Sequence, residues 1–96
     1  KDNFFVFSGI GNHKTFISMI KSHGYNVLKE IEFPDHYRYS IKDIEKILFE
    51  ANKLNCKVIT TEKDYFRIID FNFKEIKFVK SDLQIVDEEK FINFIN

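Results

Sequence analysis

A single cysteine, Cys56, leaves this chain without an internal disulfide and without the thiolates of a four-cysteine zinc site. That scarcity suits a reducing, cytoplasmic setting. Charge of one sign is also missing, because 15 basic side chains face 15 acidic ones and the formal net charge is zero. The broad basic footprint of a nucleic-acid binder is therefore absent, and no nucleic-acid partner is expected. No apolar run approaches the ~20 residues needed to span a bilayer, and no signal peptide is visible. There is no GxxxxGK[ST] segment, hence no Walker A site, and the three histidines show no metal-ligand spacing such as HxxxH. No metal site is expected within these residues.

What the chain does have is aromatic bulk. Twelve phenylalanines and 44% apolar residues supply a real core for one domain of 96 residues. Disorder would need few aromatics and a large net charge. The chain opens at Lys1 and enters the apolar run Phe4-Phe-Val-Phe7 almost at once, so we expect a piece of a longer protein.

Short apolar runs alternate with helical patterns. Phe4 to Phe7 is continuously apolar, as in a strand covered on both faces. Asn12 to His23 reads as a helix, with Asn12 as N-cap, a stripe at Phe16, Ile17 and Ile20, and Gly24 at its end. Val27 to Phe33 alternates like a half-exposed strand near an edge. Ser40 opens a second helix through a capping box with Asp43, and Ile41, Ile44, Ile47, Leu48, Ala51 and Leu54 form its stripe. Lys57 to Thr60 reads as a third strand. Thr61-Glu-Lys-Asp64 matches a second capping box that leads a short helix through Ile69. Glu75 to Val79 completes the strands, and Glu88 to Ile95 reads as a terminal helix.

Strands alternating with helices imply right-handed crossovers and a parallel sheet. The fold class expected is α/β: a three-layer α/β/α domain over residues 1–96 with a small, mostly parallel four-stranded sheet. With the most apolar strands central, the order is 2-1-3-4, the start of a doubly wound, Rossmann-like sheet.

Such sheets bind ligands outside the carboxyl ends of their strands, where the order reverses. That rule selects Ser8-Gly-Ile-Gly-Asn12, Phe33-Pro-Asp-His36 and Thr60-Thr-Glu-Lys-Asp64, which brings every conspicuous polar cluster to one rim. Each has a plainer reading too. Gly9-Ile-Gly11 resembles a dinucleotide-binding turn, but Lys14 occupies the third glycine position. Thr61 to Asp64 is sufficient as a helix cap, although Lys63 near a helix N-terminus opposes the dipole and suits an anionic ligand or a carboxylate better. Pro34 ends a strand and Asp35 is an ordinary turn residue. His36 is either a surface residue or a proton-handling group, while His13 and His23 read as solvent-facing. Phe71, Phe73, Phe91 and Phe94 read as core, not as a membrane contact.

Taken together, Phe7-Ser-Gly-Ile-Gly-Asn12, Phe33-Pro-Asp-His36 and Thr61-Glu-Lys-Asp64 resemble, in order and spacing, the C-terminal part of the tetraacyldisaccharide 4'-kinases, the lipid A 4'-kinases of Gram-negative bacteria. His13 stands where that family often has proline, and Tyr37 where it often has a second histidine. The resemblance implies a two-lobe enzyme at the cytoplasmic face of the inner membrane, peripherally associated. It implies transfer of the ATP γ-phosphate, with Mg²⁺, to the 4'-hydroxyl of a tetraacyl disaccharide 1-phosphate. ATP, Mg²⁺ and the aspartate base would belong to an N-terminal P-loop lobe outside this chain, which is the partner implied for it together with the lipid disaccharide. These 96 residues would then be inactive alone. His36 takes the role of supporting that base, with Asp35 orienting it or shaping the loop. Asn12, Glu62, Lys63 and Asp64 become candidates for substrate or lobe-closure contacts. The alternative is a non-enzymatic, receiver-like or regulatory α/β module that binds a protein partner.

Overall fold

A computed structural model describes residues 2–80 and the backbone of residues 85–86. Strand β1 (Asn3–Ser8) is followed by helix α1 (His13–Ser22), β2 (Asn26–Glu32), α2 (Ile41–Lys53), β3 (Cys56–Thr61) and α3 (Glu62–Arg67). A short 3-10 turn (Ile69–Phe71) then leads into β4 (Ile76–Val79) and β5 (Ile85–Val86). The sheet order is β2-β1-β3-β4-β5. The first four strands are parallel in the expected 2-1-3-4 order. Beyond the four expected strands, β5 extends the sheet antiparallel to β4, pairing Phe78 with Val86 and Val79 with Ile85. Two residues show no period of their own, which is why the pattern did not reveal this strand. The expected helix from Glu88 to Ile95 lies outside the described residues.

β1 is buried on both faces, and its side chains divide between two cores. Phe5 and Phe7 pack with Ile44, Ile47, Tyr65 and Phe78 beneath α2 and α3. Phe4 and Val6 pack with Phe16, Ile17 and Ile20 of α1 on the opposite face. Helices therefore cover both faces, which makes the three layers. Within α2 the stripe is buried at Ile44, Ile47 and Ala51, whereas Ile41 and Leu54 at its two ends are about half exposed. β2 is the edge, with Val27 and Ile31 only partly covered. Phe71 and Phe73 pack against the larger core, as expected. Phe91 and Phe94 lie outside the described residues. Among the described residues no helix is long and apolar enough to cross a membrane.

Three local expectations need correction. Asn12 occupies the N-cap position of α1, but its side chain makes no capping hydrogen bond. His13 is buried, not solvent-facing: Nδ1 meets the Ser8 hydroxyl at 2.5 Å and Nε2 meets Glu30 at 2.8 Å. The turn after β1 folds the ring between α1 and the edge strand, where both nitrogens find partners. Ser8 is itself fully buried, so this Ser-His-Glu trio is a tether and not an accessible nucleophile. Finally, Thr61 to Asp64 is only half a capping box. Thr61 accepts from the Asp64 N–H, while the Asp64 carboxylate turns to another part of the chain.

Candidate functional site

The rim is built around Gly9. Its N–H donates to both carboxylate oxygens of Asp64, at 3.1 and 3.0 Å, across 55 positions of sequence. Its carbonyl accepts from the His36 N–H at 3.2 Å and from Arg67 Nη1 at 3.0 Å. One residue after β1 thus ties the loops that follow β2 and β3. The approach is close: a Cβ there would stand 3.0 Å from the Tyr39 hydroxyl and 3.2 Å from the Pro34 carbonyl oxygen, so a larger residue would push one of them aside.

Asp64 is the buried post beneath the rim. Besides Gly9 it accepts from the hydroxyls of Tyr39 at 2.9 Å and Thr61 at 2.6 Å, and from Arg67 at 3.1 Å. A buried carboxylate is tolerable only when its lone pairs are met in this way. Burial first, then the Asp64 charge, pushes the Tyr39 phenol far above its usual range. An aromatic cluster braces the same loop: Phe33 stacks on Tyr37 at 4.7 Å, and Tyr39 meets Phe7, Phe33 and Tyr37 edge-on. The stretch Phe33 to Ser40 is held by its rings, and His36 is carried outward on its crest.

His36 sits at φ 63°, a left-handed conformation uncommon outside glycine, and its side chain is 80% exposed. Asp35 lies 3.7 Å from His36 Nε2, too far for a hydrogen bond. Above these groups opens a cavity of about 450 Å³. Asn12, Asp35, His36, Glu62 and Lys63 all line it, as do Phe16, Met19, Val79 and Lys80. Five of the six expected site residues therefore meet at one cavity, and Asp64 alone is turned inward. Polar groups of both signs share that cavity with an apolar wall, a surface suited to an amphiphile or to a second protein lobe. Among the described residues no group of three His, Cys, Asp or Glu side chains is placed to hold a metal ion.

Arg67 escaped the sequence reading, although it follows Asp64 by three positions at the end of α3. Nothing in its spacing distinguishes it from a solvated helix-end arginine. Only the fold shows its guanidinium, about one quarter exposed, reaching Gly9 and Asp64 and approaching His36.

Fold and rim define an open α/β domain with a cavity at the carboxyl edge of its parallel strands. A family model described as tetraacyldisaccharide-1-P 4'-kinase matches residues 1–96. Among relatives, the tetraacyldisaccharide 4'-kinase of Pelagibacter ubique is 50% identical over 91 residues, which cover 95% of this chain and 29% of that protein. Those of Rickettsia akari and Rickettsia bellii are 43% and 44% identical over 70 and 68 residues, covering 73% and 71% of this chain and 22% and 21% of theirs. No solved structure matches. The chain belongs to the tetraacyldisaccharide 4'-kinase family, and it spans less than a third of the length of these relatives.

Proposed function

We propose that these residues are the C-terminal lobe of a two-lobe kinase that moves the ATP γ-phosphate to the 4'-hydroxyl of a tetraacyl disaccharide 1-phosphate in lipid A biosynthesis. The observation that carries the reading is His36, held by its backbone on the rim of the cavity with its imidazole exposed. ATP and Mg²⁺ are assigned, on the strength of the family resemblance, to a P-loop lobe outside these residues.

Phosphoryl transfer depends mainly on positioning and on electrostatic stabilisation, so a lobe that holds no nucleotide still contributes. In this reading His36 faces the aspartate base of the other lobe. An imidazole hydrogen-bonded to a carboxylate orients it for accepting the substrate proton. Asn12, Glu62 and Lys63, which line the same cavity, contact the closing lobe or the anionic headgroup of the substrate. The enzyme then works peripherally at the cytoplasmic face of the inner membrane, where its lipid substrate is anchored.

In the full-length protein, His36→Ala should lower kcat by ~10²-fold or more, the lower range for a group that assists proton transfer, while KM changes little. An unchanged kcat, or turnover by the isolated 96 residues, refutes the proposal.

A further inference from the structure

We infer that Arg67 is the positioning residue for His36, setting which imidazole nitrogen carries the proton. The inference rests on the reading of His36 as support for the base. Arg67 Nη2 lies 3.5 Å from His36 Nδ1. A guanidinium only donates hydrogen bonds, so the nitrogen it addresses must be the acceptor. That leaves the proton on Nε2, the nitrogen that can donate to a carboxylate. Such contacts are often long in unliganded enzymes and tighten when the substrate is bound.

Both partners are anchored to the same atom. The Gly9 carbonyl oxygen accepts Arg67 Nη1 at 3.0 Å and the His36 N–H at 3.2 Å, so guanidinium and histidine backbone share one reference point. Nη1 also holds Asp64 at 3.1 Å, and Asp64 is in turn fixed by Gly9, Tyr39 and Thr61. With one nitrogen of the planar fork locked, the other has little freedom except to face Nδ1. The neighbouring carboxylate of Asp35 lies 3.7 Å from Nε2 and makes no hydrogen bond, so it leaves that nitrogen available. Lysine at position 67 would keep a charge beside Asp64, but a single ammonium cannot serve Gly9, Asp64 and His36 from two separate nitrogens.

The test uses the full-length protein with ¹⁵N-labelled histidine, the His36 signals being assigned by their loss in His36→Ala. In the unsubstituted protein we expect the Nε2–H tautomer at His36. In Arg67→Lys, which keeps the Asp64 ion pair and so should fold, the signal should move toward a mixture of tautomers. There kcat should fall on the order of tenfold with KM nearly unchanged, part of the ~10²-fold assigned to the imidazole itself. Arg67→Met should show the same tautomer change. An unaltered tautomer in both variants overturns the inference, whatever happens to kcat, because a purely structural arginine would lower activity without moving the proton. A shifted tautomer with unchanged kcat upholds the Arg67–His36 coupling and instead defeats the catalytic reading of His36.

Discussion

Two turns in this molecule share one pattern, Ser/Thr-x-x-Asp, and do different work. At Ser40 the box is complete: the hydroxyl accepts the Asp43 N–H at 3.1 Å and the Asp43 carboxylate accepts the Ser40 N–H at 2.9 Å. Tyr37 adds its hydroxyl to the same carboxylate at 3.0 Å. Every partner lies within six positions, and the turn stays near solvent. At Thr61 the hydroxyl again accepts the N–H three residues on, yet the Asp64 carboxylate is fully buried and bonded to Gly9, Tyr39 and Arg67. One turn starts a helix; the other starts a helix and holds the rim together. Local pattern therefore reports that an aspartate is engaged, but not with what.

The comparison breaks most severely at Asp64. Asp64→Ala should destabilise the domain by roughly 3 kcal/mol or more, the scale for removing one partner of a buried ion pair, because Arg67 and the Gly9 N–H lose their acceptor. Denaturant unfolding measures this directly, and a loss no larger than that of an exposed cap would erase the distinction between the turns.

Gly9→Ala probes the same post from the other side. The added methyl meets the Tyr39 hydroxyl, the Pro34 carbonyl and Asp64 Oδ1 at 3.0, 3.2 and 3.3 Å. One of those contacts is backbone and cannot swing aside, so about 1–3 kcal/mol of stability should be lost, as in other overpacked sites. Unchanged unfolding would mean that the loop shifts freely and that Gly9 is no anchor.

The smallest effect belongs to the open turn, and it depends on pH. Hydrogen bonding from the Ser40 N–H, then from the hydroxyls of Tyr37 and Ser40, holds the Asp43 carboxyl below its ordinary range. A carboxyl depressed by folding stabilises above its unfolded value, and that contribution is lost as pH falls through the folded one. Asp43→Asn should therefore cost about 1 kcal/mol or less near pH 7, and the difference from the parent chain should shrink as acid protonates Asp43. A difference that stays constant as pH falls would show that the charge on Asp43 contributes nothing.

Much of the architecture was readable in advance, for a physical reason. Phe4 to Phe7 has the short continuous apolar run of a strand buried on both faces, and the stripe of α2 has the spacing of one side of a helix. Four parallel strands in the order 2-1-3-4 followed from that alternation, and with them the rim on which Asn12, Asp35, His36, Glu62 and Lys63 meet. The short β5 did not, because its pairing with β4 depends on where the chain returns. His13 escaped for a related reason. Its partner Glu30 lies 17 positions away on the edge strand, and no period links a helix's first residue to it.

By itself, then, the sequence determined the order of strands and helices, the two helix starts and the edge on which polar loops converge. The elements and helix starts depend on neighbours a few residues apart, where spacing decides which groups can meet, and the rim follows from their alternation through the general rule for parallel sheets. The tertiary structure decided that His13 is buried, that Asp64 faces inward while Asp43 stays outside, and that Arg67 reaches His36. Those outcomes depend on hydrogen bonds across 17, 55 and 31 positions, whose geometry exists only once the sheet has brought the loops together.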